Sequence, residues 1–199
     1  MILRKCGMLS LACLALLLAA CMVPEKFTAE YEIKSNGDYT FVYDGTMVDA
    51  LSRMGKAESA QKGGAGVDPK EIKAMLDEFK ADPRVVEFEE RGDETYQVRM
   101  EEKGNIKEAG KVYFLSKDLR CWTLTYSPDK NTVSLIVSPI KRKDLDGLNI
   151  KVDGEFEIST DCKILSSTVE LDESLLGSTY SFKISNESAT GATVVMQLE

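Results

Sequence analysis

Apolar and polar residues alternate from Phe27 to Lys34. Phe27, Ala29, Tyr31 and Ile33 fall on one side, and Thr28, Glu30, Glu32 and Lys34 on the other. A period of two is the mark of a half-buried strand. Ser35-Asn36-Gly37-Asp38 interrupts the pattern, and Asn-Gly is a strong hairpin signal because both residues tolerate positive φ. Tyr39, Phe41 and Tyr43 resume the alternation, so a β-hairpin is expected over 26–44. The period then lengthens. Met47, Leu51 and Met54 keep helical spacing, which predicts a helix from Met47 to about Ala60 with Thr46 as N-cap. The run Gln61-Lys62-Gly63-Gly64-Ala65-Gly66 ends it. These glycines follow no strand and no Lys-Ser or Lys-Thr closes them, so they read as a connector and not as a phosphate loop.

Val67-Asp68-Pro69-Lys70-Glu71-Ile72 starts a second helix, with Asp68 as N-cap, Pro69 at the first helical position and Glu71 set for a capping box. Ile72, Met75, Leu76 and Phe79 make its apolar stripe, and Asp82-Pro83 ends it. Short alternating segments follow to the end of the chain: Val86–Phe88, Tyr96–Met100, Lys111–Leu115, Arg120–Tyr126, Val133–Val137, Glu155–Ser159, Ile164–Leu171, Tyr180–Ile184 and Thr193–Leu198. Short connections between successive strands imply antiparallel pairing. The expected class is therefore α+β: an N-terminal hairpin, two helices, then a long antiparallel β meander. A boundary near Lys143 divides an α+β domain at 26–142 from a C-terminal β region at 143–199, which is either its own module or part of the first.

The amino terminus changes the picture. Arg4 and Lys5 precede thirteen residues, Met8 to Ala20, that are apolar apart from one Ser and one Cys. A helix of that length rises about 20 Å, short of a roughly 30 Å hydrocarbon core. It reads as the apolar region of an export signal, not a span. Leu18-Ala19-Ala20-Cys21 ends the run and is similar to a bacterial lipobox. That resemblance implies removal of 1–20 and diacylglyceryl modification of Cys21, with acylation of its new amine. Residues 21–25 would then be a tether reaching at most about 14 Å, holding the body near the bilayer. Met22, where an Asp would favour inner-membrane retention, points to the outer membrane.

Charge and composition bound the chemistry. The chain has 199 residues, no histidine and a formal charge of −8. Arg4 and Lys5 are the only charges before Cys21, so a processed chain has a net −10. An acidic body repels nucleic acid. Without histidine there is no Ser-His-Asp or Cys-His arrangement and no histidine ligand for zinc. No cofactor or metal is expected. Lys143-Asp144-Leu145-Asp146-Gly147-Leu148-Asn149 resembles a calcium loop only loosely, with Gly at the fourth position and not the sixth, and reads as a solvated turn. Glu87, Glu89 and Glu90 with Glu101 and Glu102 would serve a glycosidase only if two of them faced one cleft. Their alternation with Val86 and Phe88 turns Glu87 and Glu89 outward. Tyr31, Tyr39 and Tyr43 are in phase with Phe27, Ile33 and Phe41, so they read as core and not as a stacking platform. Cys121 and Cys162 are the cysteines left after Cys21. In an oxidising compartment they are candidates for a disulfide, the alternative being two separate buried thiols.

From Cys21-Met22-Val23-Pro24-Glu25-Lys26-Phe27 to Phe41-Val42-Tyr43-Asp44-Gly45 the chain is similar to a set of uncharacterised proteobacterial lipoproteins. The likeness covers the first quarter and implies a lipoprotein facing the periplasm. It brings no activity and no site residues. The expectation is a non-catalytic, lipid-anchored binding or assembly module. Its partners would be the membrane, through acyl chains on Cys21, and another envelope protein, a lipid or a glycan. The alternative is a carboxylate-based hydrolase acting on an envelope polymer.

Overall fold

In a computed structural model of the chain, residues 22–62, 68–115, 122–138, 147–174, 178–185 and 191–199 are described. The predicted hairpin is there and is longer than its alternation suggests. Strand β1 (Met22–Ile33) pairs antiparallel with β2 (Asp38–Asp49), with a bulge between Pro24 and Phe27. At the turn, Gly37 alone takes positive φ, at +96°. Asn36 instead caps the loop, its Oδ1 accepting from Asp38 N at 2.9 Å.

Two expectations about this region are corrected. The stretch 22–25 is not a tether: Met22, Val23 and Pro24 face Asp49, Val48 and Met47 across the ladder, and all three are buried. The first helix does not begin at Met47 either. Met47 and Val48 complete β2, at 1% and 0% exposure, and helix α1 runs Ala50–Lys62. A short apolar run satisfies both periods, and pairing with β1 decides in favour of strand. Asp49, not Thr46, caps the helix, its Oδ1 accepting from Ser52 N at 3.0 Å. Helix α2 (Pro69–Lys80) starts as predicted, with the Asp68 side chain accepting from Lys70 N.

Strand β3 (Val85–Gly92) pairs with β4 (Thr95–Asn105), and the short helix α3 (Ile106–Ala109) leads to β5 (Lys111–Tyr113). Strands β6 (Trp122–Ser127) and β7 (Thr132–Val137) form a hairpin. The rest are β8 (Asp153–Thr160), β9 (Lys163–Ser167), β10 (Asp172–Glu173), β11 (Thr179–Ser185) and β12 (Ala192–Gln197). Among the described residues they make two sheets, one of seven strands in the order β10-β11-β8-β1-β2-β4-β3 and one of five in the order β5-β6-β7-β12-β9.

The class is α+β, and among the described strands the pairing is antiparallel but for one pair. After β7 the chain returns to the larger sheet, and β8 lies parallel to β1, Phe27 opposite Gly154 and Tyr31 opposite Ile158. A parallel neighbour needs a long crossover, and here the β5–β7 segment supplies it. The C-terminal strands are thereby shared between both sheets: β8 and β11 extend the larger, β9 and β12 the smaller.

The inner faces meet over a layer of rings. Phe27 lies 5.0 Å from Trp122 and 5.5 Å from Tyr43, Phe114 lies 4.5 Å from Phe41, and Phe156 stacks on Phe182 at 5.0 Å. Tyr31, Tyr39 and Tyr43 are all in this layer, buried as their phase predicts. A cluster of aromatic rings buries a large apolar area in offset and edge-on contacts. Phe27 needs space at its ring and at its backbone. A Cβ at Gly154 would lie 2.0 Å from Phe27 Cζ, and one at Gly45 would lie 2.3 Å from Lys26 O.

Candidate functional site at the amino-terminal end

The register places the structured parts at two opposite ends of β1. At the Met22 end, Asp49 N donates to Glu94 O at 2.8 Å, tying the start of α1 to the β3–β4 turn. Asp93 and Glu94 in that turn both hold φ near +50°. Arg53 of α1 fastens the corner: its Nη2 donates to Asp93 O and Thr95 Oγ1, each at 3.1 Å, and its Nη1 to Leu148 O at 3.3 Å. Asp49 is fully buried, and its second carboxylate oxygen accepts from Ser52 Oγ. Lys56 pairs with Glu94. Thus Met22 enters the sheet beneath a cap built from α1, the 92–95 turn and 148–152. Met54 on α1, predicted to share a stripe with Met47, is 43% exposed instead.

Beside this end, a cleft of about 450 Å³ opens where β7 finishes and β12 starts. It is lined by Ile136, Val137, Ser138, Thr168, Ala192 and Thr193, with Gly191. None of these side chains titrates. Thr168 Oγ1 is already taken, accepting from Thr193 N at 2.8 Å. Among the described residues the lining is small, neutral and half apolar, which suits an uncharged group and brings no acid or base.

The sequence candidates scatter. Cys21 and Cys121 lie outside the described residues, as do Asp144 and Asp146. Glu155, the far end of the calcium reading, sits mid-strand on the outer face of β8. Among the described residues no group of three or more acidic or cysteine side chains is placed to hold a metal ion, and no helix is long and apolar enough to cross a membrane.

Cys162 is a free, buried thiol whose Sγ lies 3.8 Å from Ile33 O, and Cys121, the other half of the candidate disulfide, lies outside the described residues. Burial pushes the Cys162 thiol pKa up, which keeps it protonated.

The carboxylates also part company. Glu87, Glu89 and Glu101 lie on the open outer face of the larger sheet, where Arg91 pairs with Glu89 and Arg99 with Glu101 and Asp44. Glu102 turns inward to a different task, held with Asp82 by Arg84. Arg84 Nη2 reaches Asp82 at 2.7 Å, while Nη1 reaches Glu102 and the carbonyls of Tyr113 and Phe114, each at 3.1 Å. The Arg84 hydrogen bonds hold the Asp82 carboxyl below its ordinary range. Tyr39 donates to the other Glu102 oxygen at 3.1 Å, and burial with the Glu102 charge pushes the phenol up to about 12. This set clasps the two sheets at the β4–β5 connection. Sequence reasoning missed it because Asp82, Arg84, Glu102 and the Tyr113 carbonyl are brought together only by the fold.

No protein-family model and no curated protein matches the chain. Among solved structures, it is similar to the NMR structure of the folded domain of LppM from Mycobacterium tuberculosis. The TM-score is 0.47 at 9% identity, covering 89% of this chain and 91% of that one.

Proposed function

We propose that the chain is a lipid-anchored protein of the bacterial envelope, facing the periplasm at the outer membrane, and that it works as a non-catalytic binding or assembly module. The observation that carries this reading is the junction at Met22. A lipobox ending in Cys21 is followed at once by a residue already paired in the sheet, so the folded body begins where the anchor would end. The space between the sheets is filled with aromatic rings, which leaves recognition to the outside. The neutral cleft at Ile136 and Thr193 fits a small uncharged part of an envelope protein, lipid or glycan.

The test has two arms in intact cells. Mass spectrometry of the N-terminal peptide finds diacylglyceryl and acyl groups on Cys21, and Cys21→Ser loses them and leaves the membrane fraction. A photo-crosslinking residue in place of Thr193 captures a partner in the wild-type envelope. An unmodified Cys21 overturns the anchor. Recovery of only the uncrosslinked protein, from Thr193 and from the neighbouring Ile136, overturns the binding role.

A further inference from the structure

We propose, resting on the reading of Cys21 as the acylated residue, that the sandwich stands end-on upon the bilayer, with its Met22 end seated on the lipid headgroups. Met22 is the first residue of β1, and its Cα is 3.8 Å from that of any neighbour in a trans chain. No flexible residue intervenes between the anchor and the sheet. Strand β1 is also central, flanked by β8 and β2, so the anchor leaves from the middle of the end and not from an edge. The surface that meets the headgroups is then the cap of α1, the Asp93–Glu94 turn and 148–152.

The opposite end is defined by contacts of its own. Ser35 N donates to Asp161 Oδ1 at 2.6 Å, Ile106 N to Gly37 O at 2.8 Å, and Glu199 N to Ser35 O at 2.9 Å. Leu198 N donates to Asn131 O at 3.0 Å. Eleven strand steps from Met22 to Ile33 lift this end about 35 Å from the anchor.

One competing pose puts Met22 equally near the lipid: the body lying on the outer face of its larger sheet. Charge opposes it. On that face Glu157 of β8 stands opposite Glu30 of β1, and across Val42 the same row reaches Glu101. Glu155 lies in the next row. Among the described residues Glu30 and Glu157 make no ion pair, and Lys183 of β11 is the cation opposite Glu155. Such a face is repelled by anionic headgroups within a Debye length of about 8 Å at physiological salt. The smaller sheet cannot be the contact surface, because it lies about 10 Å above the sheet that carries Met22.

The experiment uses the full-length lipidated protein in vesicles of phosphatidylethanolamine and phosphatidylglycerol that contain a quencher-bearing lipid. In a Cys121→Ser, Cys162→Ser background, fluorophores are placed singly at Lys56→Cys and Lys151→Cys for the near end, at Glu108→Cys and Asp129→Cys for the far end, and at Glu157→Cys on the acidic face. Near-end labels lose most of their emission, while far-end and Glu157 labels keep theirs. Quenching at position 157 equal to that at 56, or equal quenching everywhere, overturns the end-on pose. The N-terminal peptide of the same preparation is weighed. Absent acyl groups there mean that the anchor reading itself has failed. Wild-type protein gives a second readout that needs no substitution. On the same vesicles a bilayer-impermeant amine reagent modifies Lys34 and Lys130 faster than Lys56 and Lys151, and equal rates overturn the pose.

Discussion

The Phe27 ring rests directly on Gly154, and replacing that glycine tests the whole inter-sheet arrangement. A methyl at position 154 would begin 2.0 Å from Phe27 Cζ and 2.5 Å from Cε1. The ring has little room to retreat, with Trp122, Tyr43 and Phe156 at 5.0, 5.5 and 5.7 Å. Overpacking of a close-packed core costs about 1–3 kcal/mol, and Gly154→Ala belongs at the upper end of that range because three rings must shift together. Phe27→Ala costs about 3–5 kcal/mol through lost burial and the void it leaves. Combined, the two changes relieve each other: without the ring the methyl meets empty space. The double variant should therefore fall short of the summed costs by about 1–2 kcal/mol, the size of coupling seen between residues in contact. Urea unfolding followed by the emission of Trp122, the only tryptophan in the chain, measures all four corners of the cycle. If Gly154→Ala costs the same with and without Phe27, the ring does not lie on Gly154 and the parallel β1–β8 register is wrong.

Three further outcomes follow from the buried polar groups. Arg84→Met removes the guanidinium from Asp82, Glu102 and two carbonyls, leaving Asp82 only the backbone N–H of residue 84 and Glu102 only the Tyr39 hydroxyl, so urea titration should show a loss of about 2–3 kcal/mol; because Asp82 is held below its ordinary value of 3.8, its stabilising effect is present above that pH and fades as pH falls through the lowered value, and this acid limb should flatten in the variant. Tyr39 has the opposite sign: with its pKa raised from 10.0 to about 12, its contribution is full below pH 10 and lost as pH climbs towards 12, so the late-ionising phenolate absorbance, to which Tyr43 and Tyr96 also contribute, should fall by one tyrosine in Tyr39→Phe. Cys162 should resist iodoacetamide in the native protein and react in urea, as mapped by peptide mass spectrometry; native modification as fast as that in urea would refute its burial.

Local patterns were legible where one rule acted alone. The alternation through Phe27–Ile33 and Tyr39–Tyr43 names the buried faces of β1 and β2, because side chains alternate about a strand whatever it pairs with. Asp68-Pro69 marks the start of α2, because capping is a property of adjacent residues. Met47 and Val48 fit either period, and only the ladder to Val23 and Pro24 makes them strand. Arg84 and Glu102, 18 residues apart, meet Tyr39 and the Tyr113 carbonyl only once both sheets are stacked. The sequence by itself determined which side chains face inward, since that depends on neighbours along the chain. The tertiary structure decided which strand lies beside which, and so turned residues 22–25 from a leash into the first residues of a strand, because pairing depends on groups far along the chain, here Met47, Val48 and Asp49.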